Sequence, residues 1–141
     1  GHVASVTEAF DRFLNDNAPA YVPHSGASPA DVVELIAGIG GVSSLAHPGH
    51  TNRDEIIPGL VERGLHAIEA YHSSHDPATQ ARYVDMARHL RIAVSGGSDF
   101  HGDGTRRAEF FGITHLPAHC FAELLPPFRD AARIGATADK M

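Results

Sequence analysis

The chain has 141 residues, of which 43% are hydrophobic, and a formal net charge of −6. These values are typical of one soluble globular domain. They exclude a basic footprint for long nucleic acid but not a nucleotide held by metal ions. The single cysteine, Cys120, excludes an internal disulfide framework and predicts a cytoplasmic protein. None of the apolar runs is long enough to span a membrane. The 11 histidines exceed ordinary usage, and they are scattered along the chain and not gathered in one tract as in a purification tag. This excess favours a metal site.

Apolar spacing and turn residues divide the chain into alternating helices and strands. Helices are predicted where apolar residues recur with helical spacing, and strands where short apolar runs lie between turn residues. In chain order the predicted elements are a helix over 5–14, an irregular connection over 15–27, a helix over 28–39, a strand over 42–46, a helix over 54–63, a strand over 65–71, a helix over 77–89, a strand over 90–95, a short strand over 110–113, a helix over 118–132 and a disordered tail over 134–141. This alternation predicts an α/β fold with parallel strands.

Histidines stand at the ends of the three clear strands. The first strand runs into His47, the second into His72, and the third into Asp99 and His101. Since active sites of parallel α/β folds form at the carboxyl ends of strands, these side chains are expected to converge on one site. Asp99 and His101, two positions apart at the end of the third strand, are predicted to lie on one face as two metal ligands, since alternate residues of a strand point the same way.

The residue types at these ends are typical of a metal site. Imidazole and carboxylate together suit Zn²⁺, Mn²⁺ or Fe²⁺, and such an ion activates water and neutralises charge on a phosphoryl oxygen. We therefore predict that His47, Asp99 and His101 are metal ligands. The structural alternatives are an exposed histidine in a turn for His47 and a turn cap for Asp99.

Three further residues are weaker candidates for contacts with a substrate. His72, His75 and Arg106 are predicted to bind substrate, and His72 is also a candidate catalytic group. The alternatives for the two histidines are outer partners that hydrogen-bond the metal ligands or a cap on the following helix, and the alternative for Arg106 is a solvated surface charge. Glu69, inside the second strand, is not predicted to be a ligand, and His66 is predicted to be a partly buried histidine with satisfied hydrogen bonds.

The motifs at the strand ends resemble a known family. Ala46-His47-Pro48, the segment 68–75 and the segment 96–102 are similar to the C-terminal half of a PHP (polymerase and histidinol phosphatase) domain. The resemblance is strongest to the branch that includes RNase AM and 3′,5′-nucleoside-bisphosphate phosphatase. It implies part of a distorted (β/α)₇ barrel with up to three divalent metal ions (Mn, Zn, Fe or Mg). It also places His47, Asp99 and His101 at ligand positions.

The chain departs from the family pattern near its start. The family's first ligands are a His-x-His on the first strand, and this chain has none there. The expectation is therefore a truncated half-domain, with 1–27 as a helix and connection belonging to an inserted subdomain, 28–133 as the C-terminal half of the barrel, and 134–141 as the tail. Such a half barrel exposes a sheet edge and apolar side chains, so we expect a homodimer or pairing with the missing N-terminal half.

The resemblance implies a metal-dependent phosphoesterase. Its substrate would be a small phosphorylated molecule, either a phosphomonoester or the 3′ or 5′ phosphate of a nucleotide or oligonucleotide end, hydrolysed by metal-activated water. Two alternatives stay open: a catalytically inert PHP-like fragment kept for binding or assembly, and an amidohydrolase-type metal hydrolase.

Overall fold

The computed structural model describes residues 2–23, 25–103 and 108–124. Its centre is a three-stranded sheet in the order β1-β2-β3, with both neighbouring pairs parallel. The strands are β1 Ser44–Leu45, β2 Ala67–His72 and β3 Ala93–Gly97. The predicted α/β fold with parallel strands is thus confirmed, whereas the larger barrel remains a prediction.

Helices precede, separate and follow the strands along the chain. They are α1 Val6–Ala9, which continues as a π-helical turn Phe10–Leu14, then α2 Pro29–Gly38, α3 Ile57–Glu62 and α4 Pro77–Leu90, with 3₁₀ turns at Pro48–His50, Asp54–Ile56 and Ala108–Phe110 and a further helix, α5, over 118–124. The predicted cap at Ser28 is present: its hydroxyl accepts from the Asp31 N–H at 3.2 Å, while the Asp31 carboxylate accepts from the Ser28 N–H at 2.9 Å. This reciprocal pair, followed by proline at the first helical position, begins α2 where the sequence predicted.

The third strand begins later than predicted. Leu90 is the last residue of α4 and not the first of a strand. Arg91 then adopts a left-handed conformation with φ 57°, and its N–H bonds back to the carbonyls of Ala87 and Arg88. The apolar side chain of Leu90 packs against the core from the helix. Because a buried apolar residue suits a helix or a strand equally, composition alone did not separate the two at this position. The strand β3 then begins at Ala93 and extends through Gly97.

Three other predicted strands also change. The first is limited to Ser44–Leu45, and the second begins two residues later than predicted and includes His72. The predicted strand over 110–113 is wrong, because Ala108–Phe110 is a 3₁₀ turn followed by a hydrogen-bonded turn. The predicted tail and the last part of the helix over 118–132 lie outside the described residues.

The core lies between the sheet and the helices α3 and α4. Ile57, Ile68 and Tyr83 are completely buried, and Tyr83 on α4 packs over β2. Each buried aliphatic side chain of this size stabilises the fold by about 1.5–3 kcal/mol. Because β2 lies between two parallel neighbours, the core fixes its carboxyl end beside those of β1 and β3.

Several apolar side chains remain on the surface of the described chain. Val6 of α1 is 74% exposed, and Leu35 and Ile39 at α2 are 66% and 69% exposed. An apolar groove also runs between α2 and β1. The prediction that a second copy or an N-terminal half covers such surfaces stays a prediction. No described helix combines the length and the apolar character that crossing a membrane requires.

Candidate active site at the carboxyl ends of the strands

Four histidine rings meet where β1 and β2 end. We call them the histidine cluster: His47, His50, His72 and His75. The ring centroids of His47 and His72 lie 5.4 Å apart, and those of His72 and His75 lie 5.2 Å apart. Parallel pairing of β1 with β2 causes this proximity, since it puts the two carboxyl ends at one edge. The structure therefore brings together three of the histidines singled out from the sequence.

Asp99 joins the cluster from the loop after β3. Its Oδ2 lies 3.6 Å from His72 Nε2, and its side chain is 23% exposed. The expectation that Asp99 and His101 share one face of a strand is wrong, because β3 ends at Gly97 and Asp99 has φ 52°. Instead the His101 Nδ1–H donates to the Asp99 carbonyl at 2.6 Å, and the His101 side chain is 63% exposed. This bond leaves Nε2 of a neutral His101 as the acceptor nitrogen.

His47 is held in an uncommon backbone conformation. Its φ is 28° and its ψ is 56°, and its N–H donates to Glu69 Oε2 at 2.7 Å. A residue other than glycine at positive φ is strained by about 1–3 kcal/mol, and such residues cluster at functional sites. His47 and Asp99, both predicted as ligands, share this property.

Glu69 is a functional candidate that sequence reasoning did not select. It lies in the middle of β2 among buried neighbours, and its carboxylate reaches the loop after β1. A charge-assisted bond of this kind opposes relaxation of His47. The available signal was an acidic residue inside an apolar strand, a position where carboxylates are rare unless paired.

His72 is the buried centre of the cluster. Its side chain is fully buried, and its Nδ1 lies 2.7 Å from Ser74 Oγ and 3.2 Å from the Ser74 backbone nitrogen. The same hydroxyl also contacts His50 Nε2. Ser74 was not selected from the sequence, where nothing distinguishes it from an ordinary turn serine.

His75 packs on the far side of His72. Its Nδ1–H donates to the Ala70 carbonyl at 2.9 Å, and its ring lies 5.4 Å from that of Tyr83. A Cβ added to Gly49 would come within 2.8 Å of His75 Nε2, so glycine allows the loop to approach the ring. The substrate-binding roles of His72 and His75 stay predictions, and Arg106 lies outside the described residues.

The phenol of Tyr83, whose ring packs against His75, forms hydrogen bonds beside the site. Tyr83 Oη donates to Asp54 Oδ1 at 2.8 Å and accepts from the Arg82 guanidinium at 2.7 Å. Burial, followed by the neighbouring Asp54 carboxylate, raises the pKa of Tyr83 above its usual value of 10.0. The phenol therefore stays protonated and donates to Asp54, and this bond anchors the turn before α3 to α4.

His66 lies away from the cluster, just before β2. It is half-buried, but its Nδ1 is buried without a hydrogen-bond partner within the part of the chain that the structure describes. The burial is as predicted, and the expected full satisfaction of its hydrogen bonds is not seen.

The predicted ligands fit a divalent cation in kind. His47 Nδ1 is a buried nitrogen without a partner among the described residues, and the His101 Nδ1–H bonds to a backbone carbonyl as it does in many metal-ligating histidines. Within ranges 2–23, 25–103 and 108–124, no three His, Cys, Asp or Glu side chains form a group arranged to hold an ion. The donors are thus suitable, and the described arrangement is not a closed coordination set.

Known proteins resemble most of the chain. No family model matches it. A 3′,5′-nucleoside bisphosphate phosphatase from Chromobacterium violaceum is 30% identical over 85% of this chain and 44% of its own length. A phosphoribosyl 1,2-cyclic phosphate 1,2-diphosphodiesterase from Eggerthella lenta is 42% identical over 51% of this chain and 28% of its own length. The 5′-3′ exoribonuclease Rnm of Escherichia coli is 26% identical over 72% of this chain and 36% of its own length.

Solved structures give the same picture. A protein assigned as a metal-dependent phosphoesterase from Bifidobacterium adolescentis matches with a TM-score of 0.69 and 27% identity, over 86% of this chain and 44% of that one. An amidohydrolase from C. violaceum, solved with sulfate and without metal, matches with a TM-score of 0.69 and 32% identity, over 90% and 46%. The chain spans less than half the length of these relatives. The relatives support the resemblance to metal-dependent phosphoesterases of the PHP type.

Proposed function

We propose that the chain carries part of the active site of a metal-dependent phosphoesterase, with His47, Asp99 and His101 as ligands of a divalent ion. The supporting observation is the convergence of two strained residues, His47 and Asp99, around the buried ring of His72. The named relatives are phosphatases and phosphodiesterases, which favours a phosphorylated substrate. The favoured substrate class is a nucleotide carrying a 3′ or 5′ phosphate.

The chain's own residues would prepare the site in three ways. Glu69 holds the backbone of His47, and His101 is turned by its bond to the Asp99 carbonyl so that Nε2 faces away from that bond. A divalent ion held there would supply positive charge beside the phosphoryl oxygens and acidify a nearby water. His47 Nδ1, which has no hydrogen-bond partner among the described residues, and the Asp99 carboxylate would bind that ion and set the position of the phosphate.

Phosphate release by the purified chain tests the proposal. With Mn²⁺ we expect release of phosphate from a 3′,5′-nucleoside bisphosphate. Loss of a residue that only supports a metal ligand typically lowers activity by about 10–100-fold, so we expect Asp99→Asn, which changes a ligand, to lower the rate of release by about 100-fold or more. His89→Gln is the matched control, because that ring bonds to the Asp85 carbonyl of its own helix and is exposed. Metal binding without release from any phosphoester would contradict the proposal for this chain.

An inert binding or assembly module is the second candidate. The absence of a closed three-residue coordination set from the described residues favours it. Metal analysis separates the two, since less than one ion per chain supports the inert module and a filled cluster in a dimer supports catalysis. The amidohydrolase alternative is tested in the same assay by offering amides and lactones, and hydrolysis of these in preference to phosphoesters would replace the phosphoesterase proposal.

A further inference from the structure

Ser74 contacts the buried nitrogen of His72 with two different donors. The Ser74 backbone N–H lies 3.2 Å from His72 Nδ1, and its hydroxyl oxygen lies 2.7 Å from the same atom. A backbone N–H can only donate, so His72 Nδ1 carries a lone pair and not a proton. The hydroxyl is then a donor to the same nitrogen, and its oxygen is left to accept from His50 Nε2–H.

The proton of neutral His72 must therefore lie on Nε2. That atom is 3.6 Å from Asp99 Oδ2, in a side chain that has no exposure to solvent. This separation is longer than a hydrogen bond, and a shift of about half an ångström would close it to the usual range. Because the contacts with Ser74 place the His72 proton on Nε2, His72 presents a hydrogen-bond donor to the Asp99 carboxylate.

We propose that Ser74 is a positioning residue that holds His72 as the Nε2–H tautomer, so that His72 orients the Asp99 carboxylate from behind. Asp99 sits at φ 52° in a loop beyond the end of β3, where a donor behind its carboxylate would help to fix its orientation. Carboxylates that ligate metals are commonly hydrogen-bonded by outer partners, which orient them. For His72 this role is the outer-partner alternative and not the predicted substrate contact, while the part of Ser74 is new, and the consequence for metal binding depends on the proposed function.

The ring nitrogens of His72 in metal-free protein give the direct test. Long-range ¹H–¹⁵N spectra of the chain labelled at histidine should show the Nε2–H tautomer for His72. We expect Ser74→Ala to reduce the population of that tautomer, and Ser74→Thr, which keeps the hydroxyl, to restore it. Ser73→Ala, in the same turn, is the matched control and should leave the His72 signals unchanged. A wild-type Nδ1–H tautomer, or equal effects of Ser73→Ala and Ser74→Ala, would overturn the proposal.

The link to Asp99 is tested separately. Asp99→Asn should shift the His72 Nε2 resonance, whereas an unchanged resonance would refute the contact. Mn²⁺ titration should then show affinity about tenfold weaker in Ser74→Ala than in wild type. The spectra decide the positioning role without metal or activity. A chain that passes the spectral tests but hydrolyses no phosphoester would therefore contradict the proposed function alone.

Discussion

At Gly96 the strand β3 approaches β2 too closely for a side chain. A Cβ at this position would lie 2.5 Å from Tyr71 Cβ and 2.6 Å from the Tyr71 carbonyl oxygen. Ordinary contacts begin near 3.4 Å, so Gly96→Ala requires β3 to move from β2 by about 0.9 Å. The strands also change register here, since Glu69 pairs with Ser95 but Tyr71 pairs with Gly96. The irregularity allows the close approach that only glycine tolerates.

We expect Gly96→Ala to lower the free energy of unfolding by about 3 kcal/mol. Overpacking of a core typically costs 1–3 kcal/mol, and here the obstacle includes backbone, which cannot rotate away. Urea unfolding followed by far-UV circular dichroism measures the change, as a lower midpoint with an unchanged slope.

Gly97→Ala is the control, because it lies next to Gly96 on the same strand. The nearest atom to its added Cβ is Glu69 Oε1 at 3.9 Å, an ordinary contact. Alanine in place of glycine in a strand also restricts the unfolded chain, so this variant should be neutral or stabilised by up to about 1 kcal/mol. Equal destabilisation of the two variants, or a neutral Gly96→Ala, would refute the close approach of the strands.

Three further changes test other contacts. Glu69→Gln removes the charge that accepts the His47 N–H, so Mn²⁺ affinity should fall by about tenfold in calorimetry; unchanged affinity would contradict this role. Tyr83→Phe removes the bond to Asp54 and should lower the free energy of unfolding by about 1–2 kcal/mol in urea; a neutral change would contradict the anchor. The bond from the Thr79 N–H lowers the pKa of Asp76, so its stabilisation of α4 is present above the unfolded pKa of about 4 and is lost as pH falls through the folded pKa. Asp76→Asn keeps a capping oxygen that does not titrate, so its urea midpoint should rise relative to that of wild type as the pH falls from about 5 to about 2. A difference between the two midpoints that does not change with pH would contradict the lowered pKa of Asp76.

Local chemistry explains the parts of the fold that the sequence predicted. Ser28 and Asp76 each accept a hydrogen bond from the N–H three residues later, and each is followed by proline, so α2 and α4 begin where expected. Short apolar runs also predicted three parallel strands. The start of β3 was missed because Leu90 suits either state, and the choice depends on its packing and on the left-handed turn at Arg91.

The contacts that organise the site depend on the register of the sheet. Glu69 and His47 are 22 residues apart in the chain, and they meet because Leu45 pairs with Ile68 across β1 and β2. Residue types at the strand ends predicted the convergence of His47 and His72, which follows from topology alone. Which carboxylate receives which N–H requires the pairing of particular residues, and no local pattern carries that information.

The three loops of the candidate site are all held from β2. Glu69 holds the backbone of His47 on one side, while the turn after the strand uses Ser74 to hold His72. On the other side the close contact at Gly96 fixes the strand that leads into Asp99. Since His47 and Asp99 have strained backbones, release of any one contact lets a candidate ligand relax away from the others. Changes in these supports should therefore impair metal binding even though every predicted ligand is retained.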